Sequence, residues 1–145
     1  GGVLEAASRF AQNVTVFTLH DWNRESERIG DFCDGRIDGL ILVAPTIIRP
    51  SPKVFPSYIP FVSLHSNSLL PGVNDIESDE QQGSTAIVNA LIEHGHRRIM
   101  HMAGPPVFKG ARLRLEGYLA ALEEHGVPRD DSLIVPSGYT QKDGY

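Results

Sequence analysis

The residues of this chain best placed to recognise a small molecule are those that directly follow its apolar runs: His20-Asp21, Pro45-Thr46, His65-Ser66, Asp79 and the segment 104–110. In an open parallel sheet, ligands bind in the crevice beyond the carboxyl ends of the strands. Taken together these positions are polar, aromatic and mixed in charge, which suits a hydroxylated or heterocyclic molecule better than a phosphate. Arg112 and Arg114 stand near the start of a helical pattern that follows one such loop. At about 100° per residue they point about 200° apart, so only one can face the crevice squarely. An arginine there offers a planar fork of donors to adjacent hydroxyls or to a carboxylate; on the surface it would instead pair with Glu116. Asp79 is similarly two-sided: as a helix N-cap it satisfies backbone N–H groups, and as a strand-end carboxylate it accepts from ligand hydroxyls.

Other chemistries lack their signatures. No GxGxxG or GxxxxGK[ST] follows any apolar run, and there is no GxSxG nucleophile elbow, so neither a nucleotide cofactor nor serine catalysis is expected. His94, His96 and His101 fall at a helix end, in a turn and in a strand, without HExxH or a cysteine partner, and read as structural or solvated rather than metal-binding. Cys33 lies on the apolar side of a helical pattern and reads as a small core residue. Asn13-Val14-Thr15 matches a glycosylation sequon but reads as coincidence. No catalytic residue, cofactor or metal ligand is assigned.

The elements that must position the candidate residues alternate along the chain. Val3, Leu4, Ala7 and Phe10 recur at helical spacing, and 14–19 is a β-branched, apolar run of strand type. Asn23 is placed to cap a second helix whose stripe is Ile29, Phe32 and Cys33, with Gly35 as its stop. Residues 40–43 form a continuously apolar strand of the kind covered on both faces in a parallel sheet. Five prolines between 45 and 60 leave room only for short or broken helix. Further strands are expected at 61–64 and 72–76. Asp79 opens a helix whose apolar stripe is Gly83, Ala86, Ile87, Ala90 and Leu91 and whose C′ residue is Gly95. A strand at 98–103, a helix at 111–125 with Leu115, Tyr118, Leu119 and Leu122 on one face, and a strand at 133–135 complete the pattern. Such alternation is that of a doubly wound α/β sheet with right-handed crossovers.

Bulk properties agree with a folded domain that does not grip nucleic acid by itself. The chain has 145 residues, 41% hydrophobic and 21% charged, in the ordinary globular range. A formal net charge of −5 lacks the basic excess needed to displace counterions from phosphates. A single cysteine forms no intrachain disulfide, and no run reaches the eighteen or so apolar residues of a membrane span; a cytoplasmic location, without a membrane partner, is expected.

Three stretches carry a family resemblance. Residues 76–105, IESDEQQGSTAIVNALIEHGHRRIMHMAGP, resemble the signature of the lactose-repressor (LacI/GalR) family: aspartate, three residues, glycine, then a helix ending in GHRRI and a strand ending in AGP. ARLRLEGYLAALEEHGVP at 111–128 resembles the family's next helix, with its RxxGY core at Arg114, Gly117 and Tyr118, and RIDGLIL at 36–42 resembles its VDGLIL strand entry. The resemblance implies a periplasmic-binding-protein-like fold of type I, with two similar α/β subdomains closing over an effector, a sugar or a nucleobase. It implies that residues 1–96 are most of the N-terminal subdomain and 97–145 the beginning of the C-terminal one. The helix-turn-helix, the hinge helix and the first strand are expected to precede Gly1, so DNA would be contacted only through a domain outside this chain, in a homodimer. Without that first strand the piece alone is expected to be marginally stable.

Carried over residue by residue, the resemblance makes Arg114 the arginine that reaches the effector and Asp79 the aspartate bordering the cleft. Phe108 and Gly110 fall in its variable ligand loop, and Thr46 and His65 at strand ends of the first subdomain. His65 stands where the family commonly has aspartate. The function implied is allosteric sensing by a transcription repressor, the effector shifting the subdomains and hence the DNA heads. The alternative is a periplasmic sugar-binding component of an uptake system, which shares the fold; an enzyme on this scaffold has no residue set in its favour.

Overall fold

The computed structural model describes residues 2–25, 28–45, 58–66 and 74–144. Helix α1 (Gly2–Arg9) is followed by two short helices, α2 (Trp22–Glu25) and α3 (Ile29–Phe32), then strands β1 (Leu40–Val43), β2 (Phe61–Leu64) and β3 (Asn74–Ile76). Helix α4 (Glu80–Glu93), strand β4 (His101–Ala103), helix α5 (Lys109–Glu124) and strand β5 (Ile134–Pro136) come next. Among the described residues the strands form two sheets, both parallel: β1-β2-β3, with Leu40 opposite Phe61 and Leu64 opposite Ile76, and β4-β5, with His101 opposite Ile134. The α/β alternation and the parallel sheets are those read from the sequence.

Two apolar clusters hold these sheets. Ile29, Cys33, Leu42 and Ile59 form one, with Leu19, Trp22 and Phe61 packed against it. Cys33 is buried there as a small core side chain, and burial pushes its thiol pKa up. Val88, Ile92, Ile99, Tyr118, Ala121, Leu122 and Val127 form the other. Tyr118 is 1% exposed; it donates to the Ile99 carbonyl at 3.0 Å, so its hydroxyl is satisfied within the core.

Three local expectations differ from the structure. Residues 14–19 are irregular rather than a strand, with Val16 and Phe17 exposed. A strand exists only by pairing, and among the described residues none runs beside this segment; Phe17 instead stacks on Phe32 at 3.9 Å. The second helix begins one residue before Asn23, at Trp22, because Asp21 Oδ1 accepts from the Arg24 N–H and Glu25 accepts from the His20 N–H.

The third difference is the face that α4 buries. The stripe Gly83, Ala86, Ile87, Ala90, Leu91 is exposed, and Val88 and Ile92 are buried instead. The cause is a close crossing with α5 at Gly117. A Cβ there would lie 2.3 Å from the Gln81 carbonyl oxygen and 2.9 Å from Ser84 Cβ, so only glycine fits. The backbones come close enough for Ser84 Oγ to donate to the Arg114 carbonyl at 2.7 Å and Thr85 Oγ1 to the Gly117 carbonyl at 3.2 Å. Small polar residues thus turn this face of α4 toward α5, with Val88 and Ile92 buried beside it and Ile87 and Leu91 left outward. Although residue 96 closes the first subdomain in the sequence reading, α4 packs into the second cluster, with Ile99, α5 and Ile134 of β5.

Candidate functional site

Arg114 is carried on the first half of α5, and the loop before that helix is tied to it by Arg112, whose Nη1 donates to the Pro106 carbonyl at 2.8 Å. The two arginines therefore divide the work that spacing left open: Arg112 braces the loop, and Arg114 reaches across to α4 and to Tyr139. Arg114 Nη1 donates to Glu80 Oε2 at 2.6 Å, and Nη2 to Tyr139 Oη at 2.8 Å. The guanidinium carbon lies 5.8 Å from the centre of the Tyr139 ring, within cation–π range. Phe108, the N-cap position of α5, lies against the same ring at 5.4 Å between centroids.

Glu80 is the hub of this cluster. It is the first residue of α4, and its other oxygen, Oε1, takes a 2.8 Å hydrogen bond from Ser78 Oγ and lies 3.2 Å from His65 Nε2. Burial would raise its pKa, but hydrogen bonds from Ser78 and Arg114 and the charge of Arg114 outweigh it and hold the carboxyl below its usual range. On Arg114, burial opposes the charge, and the bond to Glu80 raises the pKa nonetheless. The pair is ionised. His65 sits at the end of β2 with φ of 58°, a left-handed conformation that a non-glycine residue adopts at a cost of about 1–3 kcal/mol. Through His65 and Glu80 the end of the three-stranded sheet is joined to α5.

Gly110 belongs to the same wall: a Cβ there would stand 3.7 Å from both Arg114 Nη1 and Glu80 Cγ. A cleft between these elements is lined by His65, Ser66, Glu77, Glu80, Lys109, Gly110 and Leu113, with Lys109 and Glu77 ion-paired at its mouth. A separate hollow of 410 Å³ lies elsewhere, on α4 and its cap. It is a groove beside one helix and gathers none of the Arg114 cluster.

Of the residues singled out from the sequence, the structure brings Arg114, His65, Phe108 and Gly110 together. Asp79 stands next to the cluster but its Oδ1 caps α4, accepting from the Gln82 N–H at 2.9 Å. Thr46 lies outside the described residues. Two members went unread in the sequence, Glu80 and Tyr139. Tyr139 was within reach of the strand-end rule, since it follows β5 by three residues. Glu80 follows the Asp79 cap as a first-turn carboxylate, and the partners that give it a role, Arg114 and His65, are distant in sequence.

His94, which directly precedes GHRRI, and Gly95 and Arg97 within it have structural roles. His94 Nδ1 is 2.7 Å from the Ala90 carbonyl, Arg97 Nη1 donates to the Ile92 carbonyl at 2.7 Å, and Gly95 takes φ of 92°. They close the C-terminus of α4, where carbonyls lack helical partners.

Arranged in this way, the cluster sets a donor fork and an acceptor carboxylate side by side, with the Tyr139 ring against the arginine and Phe108 against that ring. The whole chain, residues 1–145, matches the family described as periplasmic binding proteins and sugar binding domain of LacI family. It is 31% identical over 128 residues to the ribose operon repressor of Escherichia coli strain K12, covering 87% of this chain and 37% of that protein. Among solved structures, the CelR regulator in complex with cellobiose superimposes with a TM-score of 0.81 at 29% identity, over 99% of this chain and 45% of that one. A ribose operon repressor from Burkholderia thailandensis does so with a TM-score of 0.79 at 29% identity, over 93% and 52%. The chain thus spans little more than a third of the length of the curated relatives it matches. Those relatives are transcription regulators rather than enzymes. No described helix is long and apolar enough to cross a membrane. With a family model matched from end to end and a periplasmic-binding-protein-like α/β fold, this chain belongs to the family of LacI-type sugar-binding effector domains.

Proposed function

We propose that this chain is the cleft-forming part of a cytoplasmic LacI-family repressor, in which a sugar bound between two subdomains sets the spacing of DNA-binding heads in a homodimer. The observation that carries the reading is the Arg114–Glu80 pair, with Arg114 against the Tyr139 ring and Phe108 beside that ring. Adjacent sugar hydroxyls each donate and accept, so a side-by-side donor and acceptor fits a vicinal diol, and the aromatic faces suit the C–H faces of a sugar ring. Two relatives point to the same class of ligand, one named for the ribose operon and one solved with cellobiose. A nucleobase and a periplasmic uptake role have no such observation in their favour. His65 and Glu80 reach each other from either side of 77–79, and α4 packs with α5 and Ile134 of β5, which supports a subdomain boundary there rather than at 96.

In this reading the effector acts by population shift: it binds the closed arrangement better and so favours it, without chemistry. Calorimetric titration of the full-length protein with pentoses, hexoses, disaccharides and purines tests the reading. A sugar is expected to bind, and Arg114→Ala to lower its affinity by about tenfold or more, as for a lost charge-assisted hydrogen bond. Unchanged affinity in Arg114→Ala would remove the cleft assignment.

A further inference from the structure

Resting on the sugar-binding reading just given, we propose that Glu80 makes this site select uncharged sugars and reject those that carry a carboxylate. An arginine at a ligand cleft ordinarily welcomes carboxylates, because its planar fork matches their two oxygens. Here the fork is already engaged. Nη1 donates to Glu80 Oε2 at 2.6 Å and Nη2 to Tyr139 Oη at 2.8 Å, so two of the five guanidinium N–H groups are engaged, and a second carboxylate at that end must compete with Glu80 for the charge.

The charge balance points the same way. Glu80 neutralises Arg114, and its side chain is only 15% exposed, so its field is poorly screened within the cleft. Three groups hold it in place, Ser78, His65 and Arg114, which makes displacement by an incoming anion costly. An acid arriving beside Arg114 would meet the Glu80 carboxylate at short range, whereas a neutral diol can donate to Glu80 and accept from Arg114 at once. Glu80 is thus a specificity-determining residue that works by repulsion, the element often needed to separate two ligands of similar shape.

The test uses the full-length protein, its Glu80→Gln variant, which keeps the shape and the acceptor oxygen without the charge, and Glu80→Asp, which keeps the charge. Calorimetry compares glucose with glucuronate and galactose with galacturonate. In parallel, NMR follows the Arg114 side-chain N–H resonances during titration with acetate. The wild type is expected to favour the neutral sugar of a pair by about tenfold or more, and Glu80→Gln to lose most of that preference by gaining uronate affinity. Acetate is expected to shift the Arg114 resonances saturably in Glu80→Gln and not in the wild type or Glu80→Asp. If no sugar binds any form but acetate behaves as stated, Glu80 keeps its role and the sugar reading fails. If sugars bind and Glu80→Gln leaves both the uronate ratio and the acetate response unchanged, the proposal is overturned.

Discussion

Replacing Gly117 by alanine puts one methyl group where the two long helices cross, and the geometry sets its cost. The added Cβ would stand 2.3 Å from the Gln81 carbonyl oxygen, about 1 Å short of a C···O contact of about 3.3 Å. The obstruction is backbone, so α4 and α5 must part. Overpacking of this kind costs about 1–3 kcal/mol. Separation also breaks the bonds from Ser84 to the Arg114 carbonyl and from Thr85 to the Gly117 carbonyl, about 1 kcal/mol each. The better helix propensity of alanine returns about 1 kcal/mol, leaving a net loss of about 2–4 kcal/mol. Urea unfolding at constant m-value reads this as a lower midpoint. Gly83→Ala is the matched comparison: a helical glycine whose Cβ would meet nothing within 4 Å, expected to gain about 0.5–1 kcal/mol. A Gly117→Ala loss below about 1 kcal/mol would refute the close-crossing argument.

Two further outcomes follow from other contacts. At Gly104 a Cβ would come within 2.6–2.8 Å of the Tyr139 ring, a movable side chain, so Gly104→Ala is expected to displace Tyr139 and weaken effector binding by about tenfold with little change in the urea midpoint. Wild-type affinity in that variant would show that Tyr139 does not touch the ligand. His101 is stacked on Tyr118, and burial, aided by the positive charge of Arg114, holds its pKa below 6.5. Above that value the ring is neutral in folded and unfolded chains alike. Below it the unfolded chain takes up a proton that the folded one resists, so stability falls as pH drops until the folded ring also protonates. Urea midpoints measured from about pH 7 to about pH 5 should therefore decline more steeply for the wild type than for His101→Phe. Parallel curves would remove His101 as the source.

Much of the architecture could be read from local pattern because local pattern decides it. Strand 40–43 is a continuous apolar run and strand 61–64 a largely apolar one, and both appear with those bounds. Asp79 caps α4, and Gly95 and Gly126 take the positive φ that ends each long helix. What pattern could not supply depends on partners distant in sequence. The apolar stripe through Ile87 and Leu91 obeys the helical period, yet a glycine thirty residues later decides which face α4 buries. Residues 14–19 have strand composition, but composition does not provide a neighbouring ladder. In the cleft, Arg114 was legible from its motif and position. Glu80 was not, since its partners Arg114 and His65 reach it from another helix and another sheet.

The crossing at Gly117 also bears on how force travels from the cleft. The carbonyl of Arg114, the residue proposed to grip the ligand, is itself bonded to Ser84 on the neighbouring helix. A pull on Arg114 therefore cannot be absorbed by bending α5 alone; both helices swing as one beam pivoted near its crossing. From the crossing at Gly117 to the end of α5 at Glu124, about 10 Å, a tilt of about 5° moves the far end by about 1 Å. The pair works as a lever arm, turning a change of grip at one end into a displacement that any surface packed against the other end would feel.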